Sequence, residues 1–147
     1  MNIHRLIIKL LALSVVLAFG LFISGCSSDK SKTEMSEESD MPDFVKDAPV
    51  RVKEAYQYAM DHPDELAKYP CYCGCGNMGH QSNLSCFIKP ENFGYESHAA
   101  GCGICVDIAQ DVMRLKGEGQ SSPQIRNYVD AKYSAFGPST DTPFPTE

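Results

Sequence analysis

The chain has 147 residues, 43% of them hydrophobic and 22% charged, with seven cysteines, no tryptophan and a net charge of −6. That length holds one domain at most beyond any leader. Without Arg5 and Lys9 there are 11 basic against 19 acidic residues, a balance that repels nucleic acid and anionic headgroups. With no glycine-rich phosphate loop and no run of 18 apolar residues, a nucleotide enzyme and a multi-span membrane protein are both disfavoured.

Residues 1–25 read as an export signal. Arg5 and Lys9 supply positive charge, and 10–23 is an apolar stretch of 14 residues, too short to cross a bilayer. It runs into Ile23-Ser24-Gly25-Cys26, which resembles the lipobox of bacterial lipoproteins. The resemblance implies that Cys26 is lipidated and becomes the new N-terminus, where two acyl chains would anchor the protein stably to a membrane. Ser27 stands where an aspartate would retain a lipoprotein at an inner membrane, so the expected location is the extracytoplasmic face of the cell membrane. Residues 26–46 are rich in Ser, Asp, Glu and Lys and have little to bury. They are expected to form a flexible tether, reaching about 70 Å when fully extended.

A small, mostly α domain is predicted over 47–136, followed by a Pro/Thr-rich, disordered tail over 137–147. Asp47 is the expected N-cap of a first helix, with Pro49 in its first turn and Val52, Ala55, Tyr56 and Ala59 on one face. His62-Pro63 ends that helix. Residues 71–101 show neither helical nor strand periodicity and carry five glycines, so they read as a cysteine-rich irregular loop. A second helix opens near Cys102, with Cys105, Ile108, Val112 and Leu115 at helical spacing, and stops at Gly117-Glu118-Gly119. Ser121-Ser122-Pro123-Gln124 has the pattern of a capping box, opening a third helix with Ile125, Tyr128, Val129, Tyr133 and Phe136 on its apolar side. The short connection makes these two an αα-hairpin.

The chemistry concentrates in Cys71-Tyr72-Cys73-Gly74-Cys75, followed by His80, Cys86, His98 and Cys102-Gly103-Ile104-Cys105. Six thiols and two imidazoles thus fall within 35 residues. In an extended strand the first three sulfurs would share one face about 6–7 Å apart, too far for disulfides between neighbours. Curvature at Gly74 and Gly76 would draw them towards one centre. Cys102 and Cys105 lie at a predicted helix N-terminus, which favours thiolate. Thiolates suit copper(I), and thiolates with imidazoles suit zinc(II). One tetrahedral site leaves at least two cysteines over, so two metals, or one metal and a disulfide, use the set better.

The leading ligands are Cys71, Cys73, Cys75, Cys102 and Cys105, with Cys86, His80 and His98 next. Two other readings stay open: three structural disulfides stapling a binding module, and thiol–disulfide exchange through Cys102 and Cys105. Haem attachment is excluded because Val106, not His, follows Cys105. No catalytic triad or paired carboxylates appear at persuasive spacing, and a non-enzymatic role is favoured. Met78 is read as anchoring the loop, Tyr69 and Tyr72 as covering the thiols, and His62 as a helix-end residue. The expected partners are a membrane, through Cys26, and a metal-receiving or thiol-containing protein.

Pro70-Cys71-Tyr72-Cys73-Gly74-Cys75 resembles the signature of bacterial PCYCGC-motif lipoproteins, a family that implies no mechanism. More weakly, 111–136, with Gly119-Gln120-Ser121 before Tyr128, Ala131, Lys132 and Tyr133, resembles the small thiol-reductase subunit of cytochrome c maturation. That family implies a helical hairpin after a Cys-x-x-Cys motif that handles apocytochrome thiols. This chain departs from it in having four further cysteines and no membrane helix after the hairpin.

Overall fold

The structure, a computed structural model, describes residues 41–146. The predicted signal, Cys26 and the tether up to residue 40 lie outside the described residues. Five α-helices make up the described part: α1 (Asp43–Lys46), α2 (Val50–Asp61), α3 (Pro63–Leu66), α4 (Gly103–Gly117) and α5 (Ser122–Tyr133). Three 3-10 turns lie between α3 and α4, at Cys75–Met78, Leu84–Cys86 and His98–Gly101. The predicted class, mostly α with a cysteine-rich loop, is the observed one. Among the described residues no helix is long and apolar enough to cross a membrane.

The helix α4 is the axis of the core and packs against both α2 and α5. Its residues Cys105, Val106, Ile108, Ala109, Val112 and Leu115 are buried, a stripe wide enough to meet a partner on each side. Facing it, α2 buries Val52, Ala55, Tyr56 and Ala59, the face that the apolar spacing predicted. The start of α2 differs from expectation. Pro49 is its N-cap, while Asp47 closes the short α1 instead. The Pro42 carbonyl accepts hydrogen bonds from the backbone N–H groups of Val45 and Lys46, and Met41 and Val45 are buried. Packing therefore begins by residue 41, six residues inside the stretch expected to be tether. Two apolar side chains at proper spacing outweigh the polar composition around them.

The hairpin forms as predicted. Gly119 takes φ +80°, and the N–H groups of Gly119 and Gln120 donate to the carbonyls of Lys116 and Leu115 at 2.9 and 3.0 Å, a Schellman closure. Two residues later the capping box of α5 is made, with the Ser121 N–H donating to Gln124 Oε1 at 2.9 Å. Ile125, Val129 and Tyr133 are buried against α4, but Phe136 lies beyond the helix end and is exposed.

Two carboxylates tie these elements together. Asp111 on α4 accepts from Lys132 Nζ and the Tyr133 hydroxyl of α5, both at 2.6 Å. Glu65 on α3 accepts from the Tyr69 hydroxyl at 2.5 Å and pairs with Lys68 and with Lys116 of α4. Burial alone would raise both carboxyls; the donors around them hold both below their ordinary values. A depressed folded value means that this stabilisation is complete above the unfolded range, about pH 4. It is lost as the pH falls from there through the folded values. Asp111→Asn is therefore expected to cost about 2 kcal/mol at pH 7, and the gap to the parent should shrink at pH 3. Denaturant unfolding at both pH values checks this, and a gap independent of pH would contradict it.

Candidate metal centre

The cysteine motif is shaped by two left-handed glycines. Gly74 at φ +82° turns the chain out of its extended run, and Gly79 at φ +89° closes the 3-10 turn that follows. No heavy atom lies within 4 Å of where a Cβ on Gly74 would be, so glycine is needed there for conformation and not for space. The curvature expected at Gly76 is displaced to Gly79, because Gly76 lies inside the turn. Ahead of the bend Cys71 Sγ lies 3.4 Å from Cys73 Sγ, about half the spacing of an extended strand, and beyond it Cys75 Sγ stays within 4.8 Å of both.

Buried polar anchors place the segments that carry Cys86, Cys105 and His98. The fully buried Asn83 donates its N–H to the Tyr69 carbonyl at 2.8 Å and its Nδ2 to the Cys105 carbonyl at 3.2 Å. It thereby fixes the turn that carries Cys86 against the first turn of α4. The hydroxyl of Tyr56 on α2 donates to the Glu96 carbonyl at 2.6 Å and accepts from the Ala100 N–H at 3.0 Å. Those two bonds bracket His98. Cys102 is the N-cap of α4 and Cys105 lies in its first turn.

The tail, expected to be disordered, is instead extended chain laid across the motif. The Thr140 N–H donates to the Cys71 carbonyl at 2.9 Å, and the Cys71 N–H donates back to Thr140 Oγ1 at 3.0 Å. Thr142 Oγ1 donates to the Gln81 carbonyl at 2.6 Å, while Arg126 of α5 donates to the carbonyls of Thr142 and Pro143. Thr140 and Thr142 are buried. Composition alone could not reveal this, because the segment is ordered by specific hydrogen bonds and not by apolar area.

The result is one cluster. Cys71 Sγ is 3.3 Å from Cys105 Sγ, Cys73 Sγ is 3.6 Å from Cys105 Sγ, and Cys75 Sγ is 3.7 Å from Cys86 Sγ. His98 Nε2 is 3.4 Å from Cys73 Sγ. All six thiols are free. The donor atoms of Cys73, His98, Cys102 and Cys105 lie within 4.8 Å of one another, as do those of Cys75, His80, Cys86 and His98. Two sulfur triangles, Cys71–Cys73–Cys75 and Cys71–Cys86–Cys105, join these sets within the same limit. All eight predicted ligands are thus brought together.

The donor set fits a metal on three counts. The edge of a tetrahedron with metal–sulfur bonds near 2.3 Å is about 3.8 Å, close to the sulfur separations found here. Cys71 approaches Cys73 and Cys105 almost equally, whereas three disulfides would need three separate pairs. Finally, His80 Nδ1 is buried without a hydrogen-bond partner, an orphan that a metal bond would satisfy. These groupings could hold a metal ion.

The protons in the cluster are shared unevenly. Cys71 is pulled below the ordinary thiol range by the hydrogen bond with Cys105, then by that with Cys86. Cys73 is lowered in the same way by Cys86 and by His98, against the cost of its own burial. Two other thiols are pushed up, Cys86 mainly by Cys105 and Cys105 mainly by Cys71. Cys102, expected to be a favoured thiolate at the helix N-terminus, is also raised, because burial outweighs the lowering effect of the Cys105 backbone N–H. Burial lowers His80, favouring the neutral imidazole that a metal requires.

Other expectations divide. Tyr69 and Tyr72 are buried, with the Tyr69 hydroxyl donating to Glu65 and the Tyr72 hydroxyl to Asp130 at 2.7 Å. His62 caps the end of α2 as expected. Met78, read as an anchor, is 59% exposed and anchors nothing. Asn83, Tyr56 and Thr140 were not recognised as positioning residues, and no local pattern marks them. Their partners are distant in sequence.

The family profile described as a protein of unknown function with PCYCGC motif matches residues 15–145. The chain belongs to that family. No curated protein and no solved structure matches it, and the likeness of 111–136 to the cytochrome c maturation subunit finds no support.

The reciprocal bonds between Thr140 and Cys71 yield a direct expectation. Thr140→Val should weaken the hold on the motif by about 1–2 kcal/mol and speed alkylation of the buried Cys71 about 5–30-fold. Maleimide labelling followed by peptide mass analysis measures this. Unchanged labelling would show that the tail does not brace the site.

Proposed function

We propose that this member of the PCYCGC-motif family is a membrane-tethered, extracytoplasmic lipoprotein that binds zinc(II) or copper(I) through its cysteine and histidine cluster. The observation that carries the reading is convergence: six free thiols and two imidazoles from separate chain segments form overlapping groups whose donor atoms lie within 4.8 Å of one another. Burying that many sulfurs as thiolates is costly unless their charge is offset, and a bound cation offsets it. An imidazole in each four-donor set and near-tetrahedral sulfur spacing speak for zinc, while the thiolate majority serves copper(I) equally well.

The attachment rests on the sequence. An apolar stretch over 10–23 ending in Ser24-Gly25-Cys26 supports lipidation of Cys26 and a bilayer as the first partner. A metal-receiving or thiol-containing protein is the second. Four ligands are less than fully buried (Cys73, His80, His98 and Cys102), which gives an incoming donor access to the site. Thiol–disulfide exchange through Cys102 and Cys105 is the weaker reading, since an attacking cysteine needs a lowered pKa and both are raised.

The full chain, extracted in detergent without reductant or chelator, should carry stoichiometric zinc or copper by elemental analysis. The metal should leave as the pH is lowered, because protons compete for the same sulfurs. Protein with neither metal nor free thiols would replace this reading with the disulfide-stapled module.

A further inference from the structure

We infer that the eight donors divide into two four-donor centres, each of three cysteines and one histidine, that hold two metal ions: an inner ion retained and an outer ion exchanged. The inference rests on the metal-binding reading above and adds its stoichiometry and the order of release.

The partition uses each donor once and leaves Cys71 at the seam, 3.4 and 3.3 Å from Cys73 and Cys105 of the outer set. Cys73, His98, Cys102 and Cys105 form one mutually close set. The donors left over are Cys71, Cys75, His80 and Cys86. Cys71 and Cys75 share a triangle, Cys71 and Cys86 share another, and Cys75, Cys86 and His80 belong to one close group. Every pair in the second set except Cys71 with His80 is therefore within 4.8 Å. His98 belongs to both four-donor groups, but the outer set needs it for a fourth ligand, while the inner set has Cys71. A single ion held by either set would leave four of the eight donors unused. Two ions use them all.

Burial separates the two centres. In the inner set Cys71, Cys75 and Cys86 are at most 2% exposed, and only His80 reaches solvent. His80 lies on the wall shared by two grooves of about 380 and 270 Å³, one opening between the motif and the tail, the other beside Lys89 and Glu96. In the outer set only Cys105 is fully buried, while Cys73, His98 and Cys102 are partly open. Release proceeds by replacing ligands one at a time. An acceptor can reach three outer ligands directly but only one inner ligand, so the outer ion exchanges faster. Charge points the same way. With its thiols ionised, a Cys3His centre carries one net negative charge around a divalent ion and two around a monovalent one, and the smaller charge is less costly to bury. The inner centre therefore suits a divalent ion.

Native mass spectrometry of the full chain in detergent, after removal of metal and addition of zinc(II), tests both parts. Two ions per chain are expected, and a chelator challenge should remove one at least tenfold faster than the other. Cys102→Ser should abolish the fast ion and keep the slow one. His80→Asn, at a partly exposed position, should speed loss of the slow ion and leave the fast one unchanged, with helical circular dichroism retained in both variants. Saturation at one ion, equal release rates, or loss of both ions in Cys102→Ser would each overturn this inference and leave metal binding intact. Failure to bind any zinc or copper would overturn the proposed function as well.

Discussion

The structure turns on holding six sulfur atoms within a few ångströms of their neighbours while most of them are hidden from water. Thiols have no intrinsic tendency to gather. They donate and accept only weakly at the 3.3–3.7 Å separations found here, and the backbone that carries them has little regular structure. The loop is held from outside by three polar anchors on three different elements: Tyr56 on α2, Asn83 within the loop, and Thr140 in the C-terminal segment. Each satisfies backbone groups that would otherwise be buried unpaired, so one bond both places a ligand and removes a penalty.

The helical part supplies the rigid wall. Helix α4 contributes the core stripe, the outer pair Cys102 and Cys105, and Asp111, which fastens α5. Because its first turn carries ligands and its middle carries the core, the packing of α4 on α2 and α5 sets the position of the sulfurs directly. The chain from 67 to 102 is longer than structural connections usually are, and such length is characteristic of segments that carry function. A metal bound as proposed would add to the stability of a domain this small, since its ligand bonds form only in the folded state.

The gradient of exposure across the cluster gives the arrangement a direction. In the proposed pair of centres, buried sulfurs at one end favour retention, and partly open donors at the other favour exchange.

Much of this was legible in the chain itself. Periodicity located α2, α4 and α5, because each buries one face at regular spacing, and the caps at Ser121 and Gly119 follow from local backbone chemistry. The eight ligands were recognisable by residue type and density, and Gly74 by its place between thiols. Four features were decided only by the tertiary structure. The tail is ordered because Thr140 and Thr142 meet partners some sixty or more residues away, which no local composition encodes. Met41 and Val45 join the core because a surface lies ready to receive them. Cys102 is raised and not lowered, because burial depends on what packs above a helix end. The division into an inner and an outer set likewise depends on depth, a property of the assembled fold that no spacing of cysteines along a chain contains.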